Sequence, residues 1–90
     1  MALLDLLGRR WALRVLWELR DEPLGFRALQ ERCDGMSSSV LSQRLGEMEG
    51  AAIVTADSHK RWTLTPEGRR LMKALAPLND FSKRWTGAPG

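Results

Sequence analysis

The stretch FRALQERCDGMSSSVLSQRLGEME, Phe26 to Glu49, carries two apolar stripes at helical spacing around one glycine. Phe26, Leu29 and Cys33 mark a first helix. Asp34-Gly35 ends it, because glycine enters the left-handed conformation of a helix cap without steric cost. The second helix begins almost at once. Ser37 is a good N-cap, and Met36 just before it is placed to staple onto Leu41 at the fourth helical position. Leu41, Leu45 and Met48 then share one face, so the spacing predicts a helix over residues 37–49. Two helices joined by a short turn containing glycine predict a helix-turn-helix, although a plain helical hairpin gives the same pattern.

The residues after Glu49 separate the two. Ile53-Val54-Thr55 and Arg61-Trp62-Thr63-Leu64 are β-prone, and the polar residues from Ala56 to Lys60 turn between them. A short hairpin over residues 53–64, directly after the second helix, is a wing. Thr65-Pro66-Glu67 restarts helix with an N-cap, a proline at the first helical position and an acid in the first turn. Leu71, Met72 and Leu75 carry this helix inward, Pro77 kinks or restarts it, and Ala74, Leu78, Phe81 and Trp85 continue an apolar stripe.

On the N-terminal side, Leu3, Leu4 and Leu7 form a short amphipathic start broken near Gly8. Trp11, Val15 and Leu19 follow at helical spacing, widened by Ala12 and Leu16, while Leu13 and Trp17 lie off that stripe. Asp21-Glu22-Pro23 stops the helix, and Leu24 suits a very short strand. The expected architecture is mainly α with a small β-hairpin, a winged helix-turn-helix over residues 1–86, followed by a disordered tail, Gly87-Ala88-Pro89-Gly90.

Composition agrees with one small domain, since 90 residues cannot hold two independent cores. Fourteen basic against eleven acidic residues leave a net charge of +3, a modest excess that suits nucleic acid without requiring it. Lys60, Arg61, Arg69, Arg70 and Lys73, interrupted by Glu67, make the one locally positive stretch. The single cysteine, Cys33, excludes an intrachain disulfide and sits at core spacing. No apolar run approaches a membrane span, and the N-terminus lacks the pattern of a signal peptide, so a cytoplasmic protein is expected. His59 has no second histidine or cysteine beside it to make a metal site, and no nucleophile constellation, phosphate loop or dinucleotide fingerprint is present. Neither a cofactor nor an enzymatic activity is expected.

With these elements placed, the sequence resembles the HxlR-type winged-helix regulators of bacteria. The matching stretches are Leu7-Gly8-Arg9-Arg10-Trp11, Phe26-Arg27-Ala28-Leu29, Met36-Ser37 with Val40-Leu41-Ser42-Gln43-Arg44-Leu45, Leu64-Thr65-Pro66-Glu67-Gly68-Arg69, and Leu75-Ala76-Pro77-Leu78 leading to Trp85. The resemblance implies a homodimeric DNA-binding regulator with dimer contacts from its terminal helices. The chain departs from that pattern in a shorter wing and in Ser39 and Gly46 at positions where the family carries lysine or arginine. Ala52 stands where the family has glycine, and there is no cysteine near the N-terminus.

With Leu41, Leu45 and Met48 inward, the opposite side of the helix carries Ser39, Gln43 and Gly46, flanked by Ser38 and Ser42. Gln43 is the best base reader, because its amide pairs with both exposed groups of an adenine edge; the alternative is a solvated helix residue. Ser37, Ser38 and Ser39 donate to phosphate at a helix start whose partial charge favours anions, or serve only as a cap. Arg44 flanks the buried face, from which it reaches a phosphate or pairs with Glu47 or Glu31. His59, Lys60 and Arg61 form a basic wing tip for the DNA backbone or minor groove, with Asp57 opposing it. Leu3, Leu4, Leu7, Leu13, Trp17, Leu78, Phe81 and Trp85 are the candidate dimer surface, and double-stranded DNA with a palindromic operator is the expected partner. Two other readings stay open: a protein-interaction module, and a ligand- or redox-responsive repressor with Trp11, Trp17 and Cys33 bordering a pocket.

Overall fold

The chain turns at Gly8, at Asp21-Glu22-Pro23 and at Asp34-Gly35, where its residues disfavour helix. The computed structural model describes residues 2–85. The elements are α1 (Ala2–Leu7), α2 (Ala12–Glu18), α3 (Phe26–Arg32), α4 (Ser38–Gly50), β1 (Val54–Ala56), β2 (Trp62–Leu64) and α5 (Pro66–Arg84). Pro23 lies just before an extended segment in which Leu24 exchanges both backbone hydrogen bonds with Trp62, at 2.9 and 2.7 Å, so the wing gains a third, one-residue strand. β1 and β2 pair antiparallel with Val54 opposite Leu64, Thr55 opposite Thr63 and Ala56 opposite Trp62. The fold is a winged helix-turn-helix. The segment Gly87-Ala88-Pro89-Gly90, expected to be a disordered tail, lies outside the described residues.

The turn between α3 and α4 follows its sequence signals. Asp34 and Gly35 adopt φ of 59° and 69°, and the Gly35 N–H donates to the Gln30 carbonyl at 2.9 Å, closing α3. The Ser37 hydroxyl accepts from the Val40 N–H at 3.1 Å and opens α4. Leu29, Cys33, Met36, Leu41, Leu45 and Met48 join Val15, Leu16, Leu19, Leu24, Ile53, Val54 and Leu64 in one buried cluster. The Thr65 hydroxyl caps α5 by accepting from the Gly68 N–H at 3.0 Å.

Three expectations are corrected. Trp11 packs with the α2 stripe but is not part of the helix; it precedes α2 with φ 76° and is half-buried against the core. The turn from Gly8 to Trp11 is short, and the Ala12 N–H reaches back to the Arg9 carbonyl at 3.1 Å, which forces the left-handed step onto Trp11. For a bulky residue that conformation costs on the order of 1–3 kcal/mol and persists only where surrounding contacts hold it. Of the two outcomes expected at Pro77, a kink or a restart, the restart is the one overturned, since α5 runs through it to Arg84. Pro77 and Lys73 are both exposed, so the carbonyl left without a partner four residues back faces water. Leu71, Met72 and Leu75 are only half-buried, because α5 lies at the edge of the core and has neighbours on one side alone.

Ala52 is a second strained position. It adopts φ 63° immediately after α4, and its N–H and the next donate to the Glu49 and Met48 carbonyls at 3.0 and 2.9 Å. Glycine takes this conformation freely, whereas an L-residue there loses roughly 1–2 kcal/mol. Against the extra entropy glycine has in the unfolded chain, Ala52→Gly is expected to stabilise the protein by about 0.5–1 kcal/mol. Thermal unfolding tests this, and a lower midpoint would show that Ala52 is unstrained.

Candidate nucleic-acid interface

Helix α4 divides cleanly into two faces. Leu41, Leu45 and Met48 are buried, whereas Ser38, Ser39, Ser42, Gln43 and Gly46 are exposed on the other side. Ser37 is exposed but committed, since its hydroxyl caps the helix and lies 3.3 Å from the Ser39 hydroxyl. Small side chains along this face let a groove approach the backbone closely, and Gln43 is the one long amide on it.

Arg44 does not share that face. Its side chain is 12% exposed, its Nη1 donates to Glu47 at 2.8 Å, and its Nε donates to the Arg10 carbonyl at 2.8 Å. Of the two roles open to it, the pairing with Glu47 is the one formed. Its guanidinium takes internal acceptors, because an arginine flanking the buried stripe finds them within the protein before it reaches solvent. Arg10, not singled out from sequence, lines a recess of about 350 Å³ together with Trp11, Met36, Ser37, Val40 and Arg44. It is exposed at the start of α4, as is Arg27 near the start of α3. Only the basic pair Arg9-Arg10 hinted at this, since periodicity is silent on residues in a turn.

The wing tip is organised by Asp57. Its carboxylate accepts from the His59 and Arg61 N–H groups at 2.8 and 2.9 Å and from Arg61 Nε at 3.2 Å. The Arg61 N–H, opposed by partial desolvation and joined by the His59 N–H and the Arg61 charge, holds this carboxyl below the usual aspartate range. Arg61 is thus half neutralised, while His59 and Lys60 stay exposed at the tip, Lys60 with φ 60°. The wing follows α4 and packs on it through β1, so the hairpin that carries the basic tip is anchored to the helix that carries the polar face.

A second surface lies on the terminal helices. Leu3, Leu4, Leu13, Leu78, Phe81 and Trp85 are between 44% and 60% exposed. Leu7 and Trp17, also expected there, are half-buried: Leu7 packs on the chain's own core, and Trp17 carries the Arg20 guanidinium 3.9 Å above its ring. Between α2 and α5 runs an apolar groove of about 240 Å³ lined by Leu13, Trp17, Met72, Leu75 and Leu78.

Cys33 is wholly buried, and burial pushes its thiol pKa up, with the nearby Arg14 charge only partly offsetting this. Reaction needs the thiolate and access to it, and both are disfavoured here. Alkylation of Cys33 in the native protein at pH 8 is expected to be at least about tenfold slower than in denaturant. Equal rates would reopen a redox role. Among the described residues there is no group of three or more metal-ligating side chains, and no helix is long and apolar enough to cross a membrane.

The family model described as HxlR-like helix-turn-helix matches residues 6–89. An HTH-type transcriptional regulator of Bacillus subtilis, YvaP, is 25% identical over 87 residues, covering 90% of this chain and 81% of its own length. The structure of quinone-bound YodB from B. subtilis superposes with a TM-score of 0.84 at 27% identity, covering 93% of this chain and 94% of that one. A possible HxlR family transcriptional factor from Thermoplasma volcanium gives a TM-score of 0.81 at 24% identity over 90% of this chain and 78% of its own, a likeness of fold.

Proposed function

The chain belongs to the HxlR-like helix-turn-helix family, and from that premise we propose that it is a homodimeric regulator that reads a palindromic operator with α4 in the major groove. It is a transcriptional regulator of the winged helix-turn-helix type. The observation that carries the finer reading is the division of α4, whose outward face is small, polar and free of acidic side chains from Ser38 to Gly46. In this reading Ser38, Ser39 and Ser42 meet phosphate, Gln43 meets a base edge, and His59 and Lys60 lie along the backbone or in the minor groove. Arg44 is left out, and Arg61 contributes only after parting from Asp57.

Selection of bound sites from random duplex DNA tests this. Enrichment of inverted half-sites about one helical turn apart is expected. A pool that does not enrich overturns the reading and favours a protein-interaction module. Two substitutions then separate the roles. Gln43→Ala is expected to relax sequence preference by about 1–3 kcal/mol while leaving affinity for random duplex nearly intact. Lys60→Ala with Arg61→Ala weakens binding to every duplex alike and flattens the salt dependence, because phosphate contacts release counterions without reading bases. An unchanged slope removes the wing from the interface.

A further inference from the structure

Arg44 joins two parts of the chain that lie 34 residues apart. Its guanidinium spans from the Arg10 carbonyl, in the turn between α1 and α2, to one carboxylate oxygen of Glu47 on α4. The other oxygen of Glu47 lies 3.5 Å from Arg9 Nε, in the same turn. Two positions one turn apart on α4 therefore hold two consecutive residues of the turn, one through a backbone acceptor and one through a side-chain cation. The next residue in that turn is Trp11, held at φ 76°.

The space around this tie is not filled by packing. The recess lined by Arg10, Trp11, Met36, Ser37, Val40 and Arg44 stays open between the turn and the beginning of α4. Leu7 and Trp11 pack on the core on either side of the turn, and the polar contacts of Arg44 and Glu47 add a directional tie between the turn and the helix. Arginine suits the task because its planar fork directs donors to two acceptors at once, which a lysine ammonium does not do with the same geometry.

We propose that Arg44, paired with Glu47, is a positioning residue for DNA recognition, locking α4 to the turn between α1 and α2 so that the helix reads bases from one fixed angle. The inference rests on the DNA-binding reading proposed for this chain. It assigns Arg44 an effect on specificity that does not pass through a phosphate contact.

The test uses the full chain, the duplex enriched by selection and a random duplex, with Arg44→Lys, Arg44→Gln and Glu47→Gln. Affinities are measured across a range of salt, together with amide exchange at Ala12 and Val15, whose N–H groups donate to the Arg9 and Trp11 carbonyls. All three variants are expected to lose about tenfold in affinity for the selected duplex, as for a lost charge-assisted hydrogen bond, with random-duplex affinity changed less than about twofold. The salt slope stays unchanged in Arg44→Gln. Exchange at Ala12 and Val15 accelerates while Leu41 and Leu45 stay protected, which separates loss of the lock from general destabilisation. A slope smaller by about 0.9 in Arg44→Gln, with equal losses on both duplexes, would overturn the proposal in favour of a phosphate contact. So would Glu47→Gln binding the selected duplex as well as the native protein does. If the native protein enriches no duplex, the DNA-binding reading fails, and with it the proposed role in recognition; exchange then reports on the lock alone.

Discussion

Gly68→Ala is expected to destabilise the protein by about 3 kcal/mol, because the added methyl group overpacks a buried position. A Cβ at this position would fall well inside van der Waals contact with the Ile53 carbonyl oxygen, and 3.2 and 3.3 Å from the Ile53 carbonyl carbon and Leu64 Cβ. The obstacle cannot swing aside as a side chain could. The Ile53 oxygen accepts from the Thr65 N–H at 3.0 Å and lies 3.1 Å from the Thr65 hydroxyl, which itself reaches the Ala52 carbonyl at 2.6 Å and caps α5. Moving Ile53 away therefore disturbs the α5 cap and the root of the wing together. Total stability for a chain of this length is about 5–13 kcal/mol, so the loss is a large share of it. At roughly 4–8 °C per kcal/mol, the thermal midpoint should fall by more than about 10 °C. Gly46→Ala is the control, since its Cβ would meet open space on α4 and a helical alanine is favoured by about 0.5–1 kcal/mol. If Gly68→Ala melted at the native temperature, α5 would not be pressed against the wing root.

Phe81→Asp combined with Trp85→Ala should convert a dimer into a monomer at micromolar concentration. In the single chain Leu78, Phe81 and Trp85 are 58%, 58% and 53% exposed, so they do not fold back onto their own core. Exposed apolar surface of this kind marks an interaction site. Burying each large side chain against a partner contributes roughly 1.5–3 kcal/mol, and two-fold symmetry doubles every contact. That total is enough to exceed association costs of about 4–15 kcal/mol only if several of these residues take part, so losing two of them is decisive. In the proposed dimer the two α4 helices would stand about 34 Å apart, and its loss would leave each monomer with one half-site. Affinity for a palindromic duplex should then fall by at least about a hundredfold, as expected when effective concentration is removed. Sedimentation decides the first point and titration of the duplex the second. A native protein that sediments as a monomer, or a variant that stays dimeric, removes the terminal helices from the interface.

These two expectations differ in how far they could be read from the chain. The apolar stripe through Leu78, Phe81 and Trp85 is visible in the spacing, because a helix repeats every 3.6 residues whatever it packs against. The role of Gly68 is not, since its neighbour Ile53 lies across a hairpin and spacing carries no record of which backbones approach. Arg44 shows the same limit from the other side. Its position flanking the Leu41, Leu45 and Met48 stripe was legible, and so was Glu47 as a partner three residues on. The Arg10 carbonyl was not, as no local pattern links the start of α4 to the turn before α2.

Sequence alone determined the element order, the split of α4 into a buried and a polar face, the caps at Ser37 and Thr65, and the left-handed exit at Gly35. Each depends on residues within a turn or two of one another, where backbone geometry and side-chain spacing act directly. Only the tertiary structure decided that Trp11, Ala52 and Lys60 take left-handed conformations, that α5 continues through Pro77, that Asp57 holds Arg61, and that Arg44 faces the turn instead of solvent. Those outcomes follow from which segments meet in space: a strained φ survives where distant contacts hold it, a proline is tolerated where water meets the freed carbonyl, and an arginine takes the nearest acceptors that folding brings to it.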